Sequence, residues 1–301
     1  MKQAHSPSGV AAAAGGVFLW GCGAVIIKLT TSPITMVIFY RLVFGIPMLF
    51  ALWWFGRDRT LPWRAASVGG VLFAAHQLAN FTALRYSTVA VVTIFFSLQP
   101  IVVGAVSKRV TGEHTTPQFY LWALVAIAGC ATLVLAANGQ HHGTPLGNTL
   151  AVVNLFIWCA YFLATKRARA TVGTLPWLFV MTVVAGACVG VVAVVTRQPF
   201  TPPHGRELGL LLALAAGPGT LGHFLVTWAQ PRIHAAASSA IIVGVPIVAA
   251  VGAALFAHEP FTPVEVLGAA IALGATVVAM RYLPPPVTEE VAENTVRSQR
   301  S

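Results

Sequence analysis

Polar and aromatic side chains recur at helical spacing within four strongly apolar stretches of the sequence. In the two longest groups the members are three or four residues apart, which places them on one face of a helix. Polar side chains inside apolar helices are unfavourable unless they face a partner or a cavity, so such faces are typical of a binding site for a small solute. The groups are Thr220, His223, Thr227 and Gln230; Asn154, Trp158, Tyr161 and Thr165; His76, Gln77 and Asn80; and Thr93 and Ser97.

Two tryptophans add aromatic surface to this chemistry. Trp20 and Trp158 lie seven or more residues inside their apolar stretches, which favours the wall of a central pocket over an interfacial aromatic belt. Such a pocket suits a small amphipathic ligand, whereas the alternative for any single Ser or Thr is hydrogen bonding between neighbouring helices. The candidate substrate-binding residues are Trp20, His76, Gln77, Asn80, Thr93, Ser97, Asn154, Trp158, Tyr161, Thr220, His223 and Thr227.

Two cations near these groups have more than one interpretation. Arg41 lies within an apolar stretch, where its head could reach the membrane interface or pair with a helix C-terminus. The more specific hypothesis is that Arg41 binds a substrate carboxylate. Lys166 lies at the end of its stretch and is interpreted as an orientation signal.

The sequence offers little that could do covalent or metal chemistry. No carboxylate, metal-ligand set or nucleophile and base pair converges, and His141 and His142 lack a third ligand. The four cysteines lie in apolar runs and are interpreted as small core residues. We therefore expect no enzyme activity, no metal and no cofactor. An intramembrane enzyme acting on a lipid-linked substrate, or a non-transporting scaffold, stays open as the alternative.

Composition indicates that most of the chain faces lipid. Of 301 residues, 57% are hydrophobic and 9% charged, against about 25% charged in a soluble domain. The net charge of +10 is spread over alternate connecting loops, which argues against nucleic acid as a partner. The partners predicted are a small-molecule substrate and the lipid bilayer, with the protein a monomer or a homodimer.

Ten stretches are long enough to cross a bilayer as helices. Basic residues are concentrated in the loops that share a side with the N-terminus, so both termini are predicted to be cytoplasmic. The spans predicted are Gly9–Ile27, Ile34–Phe55, Ala65–Leu84, Val89–Val106, Phe119–Ala137, Leu146–Thr165, Leu175–Val195, Leu208–Ala229, Ala235–Phe256 and Val264–Met280.

The two halves of the chain resemble each other. Pro100-Ile101-Val102 matches Pro246-Ile247-Val248, and Glu113 matches Glu259, while Trp20 and Lys28 match Trp158 and Lys166. Five helices in each half is an odd number, so the second half must enter the membrane from the opposite side. We predict an all-α integral membrane protein of ten helices in two inverted-topology five-helix repeats, residues 8–138 and 146–282. Residues 283–301 are predicted to form a disordered cytoplasmic tail.

Inverted repeats are typical of carriers that work by alternating access. Pro100 and Pro246 each remove a helix hydrogen bond and are the predicted hinges, with a static kink as the alternative. No Asp or Glu lies in the middle of a span, which favours facilitated transport over strong ion coupling. Proton coupling stays open because His76 and His223 could titrate near neutral pH.

The repeat also resembles a known family. Ala83-Leu84-Arg85-Tyr86-Ser87, then Pro100 and Gly112-Glu113, is similar to the repeat unit of the EamA family in the drug/metabolite transporter superfamily. The second copy resembles it less closely, with His258 where the family usually has Gly. The resemblance implies a ten-helix exporter of amino acids or related metabolites in the bacterial inner membrane, and some members export aromatic amino acids.

Overall fold

The computed structural model describes residues 6–87, 89–138, 144–257 and 262–284. Glu259, the pair His141 and His142, and the predicted tail from residue 285 onwards lie outside the described residues. Within the described ranges all regular structure is helical. The α-helices are α1 (Pro7–Lys28), α2 (Ile34–Phe55), α3 (Trp63–Tyr86), α4 (Val89–Ser97), α5 (Gln99–Thr111), α6 (Pro117–Asn138), α7 (Pro145–Ala168), α8 (Thr174–Val195), α9 (Gly205–Leu214), α10 (His223–Ala229), α11 (Ala235–Ile242), α12 (Val245–Ala257) and α13 (Pro263–Arg281).

Several helices begin at a hydroxyl residue followed by proline. The side chain of Ser6 accepts a hydrogen bond from the Gly9 amide, and Thr144 accepts one from Gly147. Thr262 and Glu265 form a reciprocal capping box at the start of α13. In each case proline follows the cap, where its missing amide hydrogen leaves no helical bond unmade. These starts are therefore encoded locally in the sequence.

Eight helical segments of the described chain are long and apolar enough to cross a membrane. Large apolar side chains on their outer faces are exposed, among them Phe18, Val195 and Leu267 at 57%, 75% and 58%. An apolar exterior of this kind belongs against lipid, so the predicted all-helical membrane class is confirmed. The eight segments are Pro7–Ile27, Ile34–Phe55, Val91–Thr111, Pro117–Ala136, Pro145–Ala168, Thr174–Val195, Gly205–Arg232 and Pro263–Arg281.

The remaining two predicted spans differ from these eight. Helix α3 has the length to cross, at 24 residues, but His76, Gln77 and Asn80 lower its hydropathy. The ninth predicted span is divided between α11 and α12, each shorter than a bilayer-crossing helix. The count of ten crossing helices therefore stays a prediction.

Three of the predicted spans are interrupted helices. The fourth breaks at Leu98, between α4 and α5, and Pro100 lies in the first turn of α5. The ninth breaks before Val245, and Pro246 lies in the first turn of α12. Both prolines thus begin a new helix and do not kink a continuous one. Whether these breaks act as hinges stays a prediction.

The eighth predicted span contains a π-helical segment, Ala215–Gly222, between α9 and α10. Pro218 lies inside it and has no amide hydrogen, so the α-helical ladder cannot continue there. The segment packs tightly on α1, since a Cβ on Gly23 would lie 2.9 Å from the ring of Pro218. Wide turns of this type often occur at functional sites.

The connecting loops meet at two ends of the helix bundle. At the first end, where α1 begins, Gly9 lies against Arg232 and the Thr116 hydroxyl donates to the Tyr282 carbonyl (2.9 Å). At the second end, where α1 finishes, the Thr144 hydroxyl donates to the Tyr86 carbonyl (2.6 Å). The amide of Thr31 also donates there, to Glu207 (3.1 Å). The loops of the two halves are thus joined at both ends.

Helices α6 and α13 pack closely through glycine. A Cβ on Gly268 would lie 2.6 Å from the Leu133 nitrogen and 2.7 Å from the Gly129 carbonyl oxygen. A Cβ on Gly129 would meet the Ala272 nitrogen at 2.6 Å. These neighbours are backbone atoms that cannot rotate away, so only glycine permits this helix separation.

We expect Gly268→Ala to lower the free energy of unfolding by about 1–3 kcal/mol, because the added methyl must push α6 and α13 apart. Denaturation in detergent micelles followed by circular dichroism will measure it. The matched control is Gly274→Ala on the same helix, where a Cβ would meet nothing within 4 Å. That variant should be neutral or gain up to about 1 kcal/mol from helix propensity. Equal effects of the two substitutions would contradict the packing argument.

Candidate functional site

Six rings from both halves of the chain pack together in the middle of the bundle. Trp20 on α1 meets Trp158 on α7 edge to face, with ring centroids 5.8 Å apart, and meets His223 on α10 at 4.7 Å. His76 on α3 lies 4.5 Å from the Trp158 ring. We call this group the aromatic cluster, defined by Trp20, Phe73, His76, Trp158, Tyr161 and His223. The two tryptophans that match across the repeat are therefore direct neighbours.

The second ring layer comes from α3 and α7. Phe73 lies 5.1 Å from Tyr161 and 5.0 Å from His223, the latter edge to face. Trp158 has Tyr161 on one side at 5.4 Å and Phe96 of α4 on another at 5.4 Å. Such aromatic pairs each add about 0.5–1.5 kcal/mol beyond their buried area. The cluster therefore joins α1, α3, α7 and α10.

A hydrogen-bonded chain of side chains orients His76. The Asn154 side-chain amide donates to Asn80 Oδ1 (3.1 Å), which leaves Asn154 Oδ1 as an acceptor. His76 Nδ1 donates to that oxygen at 2.8 Å. The imidazole proton is thus on Nδ1. The position of the His76 ring is set by Asn154 of α7, which is itself held by Asn80 of α3. Asn154 and His76 are both buried.

Arg41 of α2 reaches the aromatic cluster from the side. Its Nη1 donates to Gln77 Oε1 at 3.0 Å, and its Nη2 lies 3.0 Å from His223 Nε2. A guanidinium group can only donate, so His223 Nε2 accepts and a neutral His223 has its proton on Nδ1. The guanidinium carbon lies 6.0 Å from the Phe73 ring centroid, within the range of a cation–π contact. Arg41 therefore links the first half to His223 of the second.

Glycine and the π-helical segment allow these side chains to approach. A Cβ on Gly222 would lie 2.9 Å from Cδ1 of Trp20. A side chain at position 222 would therefore clash with the Trp20 ring. Gly222 ends the π-helical segment and His223 begins α10. The irregular backbone of the eighth predicted span thus positions His223 against Trp20.

The structure brings most of the predicted binding residues together. Trp20, His76, Trp158, Tyr161 and His223 are in the aromatic cluster, and Gln77, Asn80 and Asn154 are hydrogen-bonded to its edge through Arg41 or His76. The rings of the aromatic cluster contact one another, so a ligand would have to separate these rings to bind between them. That these residues bind a substrate stays a prediction.

The hydroxyl residues lie elsewhere. Ser97 donates to the Thr93 carbonyl (2.8 Å) and lies 3.2 Å from the Cys130 sulfur of α6. The contact of Ser97 with α6 suits the packing alternative considered for single Ser and Thr residues. Thr220 is buried within the π-helical segment and Thr227 on α10, and the Thr220 hydroxyl has no hydrogen-bond partner among the described residues.

Three further residues at the site are absent from the predicted set. Phe73 is three residues before His76 on one face of α3, a spacing that periodicity could have detected. The Trp158 indole donates to Gln99 Oε1, and Gln99 in turn donates to the Ser239 carbonyl of α11. Gln99 is fully buried, and its polarity next to Pro100 was the available signal. Phe96 has no such signal among its apolar neighbours.

A buried ion pair joins the two halves at the first end of the bundle. Lys166 Nζ lies 2.9 Å from Glu113 Oε1, and the side chains are 7% and 1% exposed. The other two Nζ hydrogens go to the carbonyls of Gln230 (2.7 Å) and Ile233 (2.6 Å). Glu113 Oε2 accepts from the Ala235 amide at 2.8 Å. We call these five residues the ion-pair knot. The sequence-based interpretation of Lys166 as only an orientation signal does not account for its burial and its pairing with Glu113.

The turn after α5 positions Glu113 in the ion-pair knot. Gly112 ends α5 in the left-handed region, with φ of 74°, which favours glycine. The Ser107 hydroxyl donates to the Glu113 carbonyl at 3.0 Å and fixes the turn. The carboxylate therefore points into the bundle and not into the loop.

The side chains of the cluster and its edge are suited to non-covalent contacts. They offer aromatic faces, amide groups, imidazoles and a buried guanidinium. Within the described residues, no group of three or more His, Cys, Asp or Glu side chains is placed to hold a metal ion. A small solute with an apolar body and a polar end fits this combination best.

The chain is similar to known proteins along almost its whole length. The EamA-like transporter family matches residues 7–135 and again residues 145–281. A solved structure described as "Crystal structure of protein" is 19% identical in sequence, with a TM-score of 0.79. That match covers 90% of this chain and 96% of the other, and it shows a shared fold. No curated protein matches the sequence.

Proposed function

The chain belongs to the EamA-like transporter family and so is a membrane transporter of small solutes, and we propose that it exports amino acids with apolar or aromatic side chains. Members of this family are generally not enzymes. The proposed mechanism is alternating access, in which a site between the two halves opens to one side of the membrane and then to the other.

The observation that supports this proposal is the composition of the aromatic cluster. Trp20 and Phe73 come from the first half and Trp158 and His223 from the second, so relative movement of the halves would open or close the space between them. Amino acids with apolar side chains match its aromatic faces and its few polar groups.

We propose ten membrane helices in two five-helix repeats of inverted topology. The contacts at the two ends of the bundle agree with a chain that crosses back and forth between them. The basic loop residues support a cytoplasmic location for the first end and both termini, and the family resemblance supports a bacterial inner membrane. The repeats would comprise residues 8–138 and 146–282.

We propose facilitated transport without strong ion coupling. Among the described carboxylates, Glu113 most resembles a group that could couple transport to an ion. Its charge is neutralised by Lys166. Ion-coupled carriers commonly keep an intramembrane carboxylate that is free to change its protonation or ligand state. The direction of net flux would then follow the substrate gradient.

The proposal is tested with the purified protein in liposomes. Liposomes loaded with labelled L-phenylalanine or L-leucine should release it faster than protein-free liposomes, and release should saturate with substrate concentration. Unlabelled amino acid outside should accelerate the release, because exchange returns the loaded carrier more quickly than the empty one. Release no faster than from protein-free liposomes, or equal leakage of labelled sucrose, would contradict a selective carrier.

A further inference from the structure

Arg41 is a buried cation whose known partners are neutral. Its side chain is 8% exposed, and its hydrogen bonds within the described residues go to the Gln77 amide and the His223 imidazole. Neither acceptor is a negative charge. A guanidinium removed from water is strongly unfavourable unless an anion compensates it. The site therefore has an unmet requirement for a negative group.

The described carboxylates are all occupied elsewhere. Glu113 pairs with Lys166, and Glu207 accepts from the amides of Thr31 and Ser32. Asp58 caps Thr60 in a loop at the first end, and Glu265 caps Thr262. The protein thus does not supply the anion from the part of the chain that the structure describes.

One edge of the guanidinium lacks a hydrogen-bond partner. Arg41 Nε is buried without a hydrogen-bond partner. The residue beside it is Gly219 of the π-helical segment, where a Cβ would lie 3.3 Å from Nε. Glycine here keeps a side chain away from the edge that a carboxylate would use for a two-point contact. Gly219 therefore packs close to the unpartnered donor, and a carboxylate can reach this edge only when the π-helical segment and Arg41 move apart.

We propose that Arg41 binds the carboxylate of the substrate and that the protein therefore selects organic carboxylates with an apolar or aromatic body. This rests on the proposed function and names its substrate requirement. The carboxylate meets Nε and a terminal nitrogen of Arg41, and the apolar body lies against Phe73 and the tryptophans. In the empty site, Gln77 and His223 hold the guanidinium in position.

The experiment compares three ligands that share one aromatic body. L-phenylalanine has both a carboxylate and an amine, 3-phenylpropionate has the carboxylate alone, and phenethylamine has the amine alone. Binding to the detergent-purified full chain is measured by titration calorimetry. We expect phenethylamine to bind about 100-fold more weakly than 3-phenylpropionate, as expected for loss of a charge-assisted pair. Equal binding of these two, or no binding of 3-phenylpropionate, overturns the proposal.

Two substitutions test whether Arg41 is responsible. Arg41→Gln should remove most of the discrimination between 3-phenylpropionate and phenethylamine. Arg41→Lys keeps the charge without the planar fork and should give intermediate selectivity. The matched control is Arg85→Gln, an exposed cation at the end of α3, which should bind like the unaltered protein. Unchanged discrimination in Arg41→Lys and Arg41→Gln overturns the assignment, and the ligand series on the unaltered protein decides the proposal if these variants do not fold.

The outcome is separable from that of the transport assay. Amino-acid flux without carboxylate discrimination would leave the proposed function in place and overturn the role of Arg41. Arg41-dependent binding of 3-phenylpropionate without amino-acid flux would support the carboxylate site and contradict amino-acid export.

Discussion

Lys166→Met will lower the free energy of unfolding by about 3–5 kcal/mol, the range observed when one partner of a buried ion pair is removed. The substitution leaves Glu113 as an uncompensated charge, 1% exposed, and leaves the carbonyls of Gln230 and Ile233 without their donor. Methionine nearly matches lysine in length, so the change is mainly electrostatic. Denaturation in detergent micelles followed by circular dichroism will measure the loss.

The control for Lys166→Met is Arg167→Met at the adjacent position. Arg167 is exposed, so its replacement should change the free energy of unfolding by no more than about 0.5 kcal/mol. A loss for Lys166→Met as small as this would show that the pair contributes little to folding.

A charge swap distinguishes the ion-pair knot from a simple ion pair. The double variant Glu113→Lys with Lys166→Glu restores opposite charges, but it places a carboxylate against the carbonyls of Gln230 and Ile233. It also places an ammonium against the Ala235 amide. We therefore expect the swap to remain at least as unstable as Lys166→Met. Recovery to the stability of the unaltered protein would show that charge alone matters.

The knot also bears on the proposed transport cycle. It joins the turn after α5 in the first half to α7 and to the junction before α11 in the second. If the first end is cytoplasmic, opening the site toward the cytoplasm would require these contacts to separate. Lys166→Met should then increase the labelling of cysteines introduced near the first end by membrane-impermeant thiol reagents applied from the cytoplasmic side.

Trp158→Ala should both destabilise the protein and suppress transport. The side chain is 2% exposed and contacts His76, Phe96 and Tyr161, so its truncation should lower the free energy of unfolding by about 3–5 kcal/mol. Flux per folded molecule in liposomes should fall by about 10-fold or more, equivalent to about 1.4 kcal/mol of lost interaction.

Trp177→Ala separates these two effects. Trp177 is 1% exposed and packs on Gly69 of α3, and within the described residues it has no ring contact with the aromatic cluster. The truncation should destabilise the protein to a similar extent while flux per folded molecule stays within about 3-fold of the unaltered protein, a change of about 0.6 kcal/mol. If both variants lose flux equally, the effect of Trp158→Ala belongs to packing and not to the site.

Sequence periodicity identified helix faces that the structure buries. The spacing of Asn154, Trp158 and Tyr161 identified one face of α7, and that face is the one buried in the aromatic cluster. Trp20 and Trp158 were paired by the repeat and proved to be in contact. This succeeds because helical spacing decides which side chains share a face, and lipid penalises polar side chains on any other face.

The interrupted spans were less accessible to prediction. Hydropathy averages over a whole span, so it recognised apolar runs but not the break at Leu98 or the π-helical segment. Pro218 and its neighbouring glycines marked irregular backbone without specifying its form. That form depends on packing against Gly23 of α1, far away in the sequence.

The sequence alone determined that this is an all-helical membrane protein, that the polar faces of several helices turn inward, and that its halves are related. These properties follow from composition and local periodicity. The tertiary structure alone decided which buried polar groups meet. Arg41 and His223 are 182 residues apart, and Glu113 and Ala235 are 122 apart. Charge counts in loops assigned Lys166 to a membrane boundary and left the role of Arg41 open, because a single side chain does not reveal its partner. Only helix packing showed that Lys166 has an anion and that Arg41, among the described residues, does not.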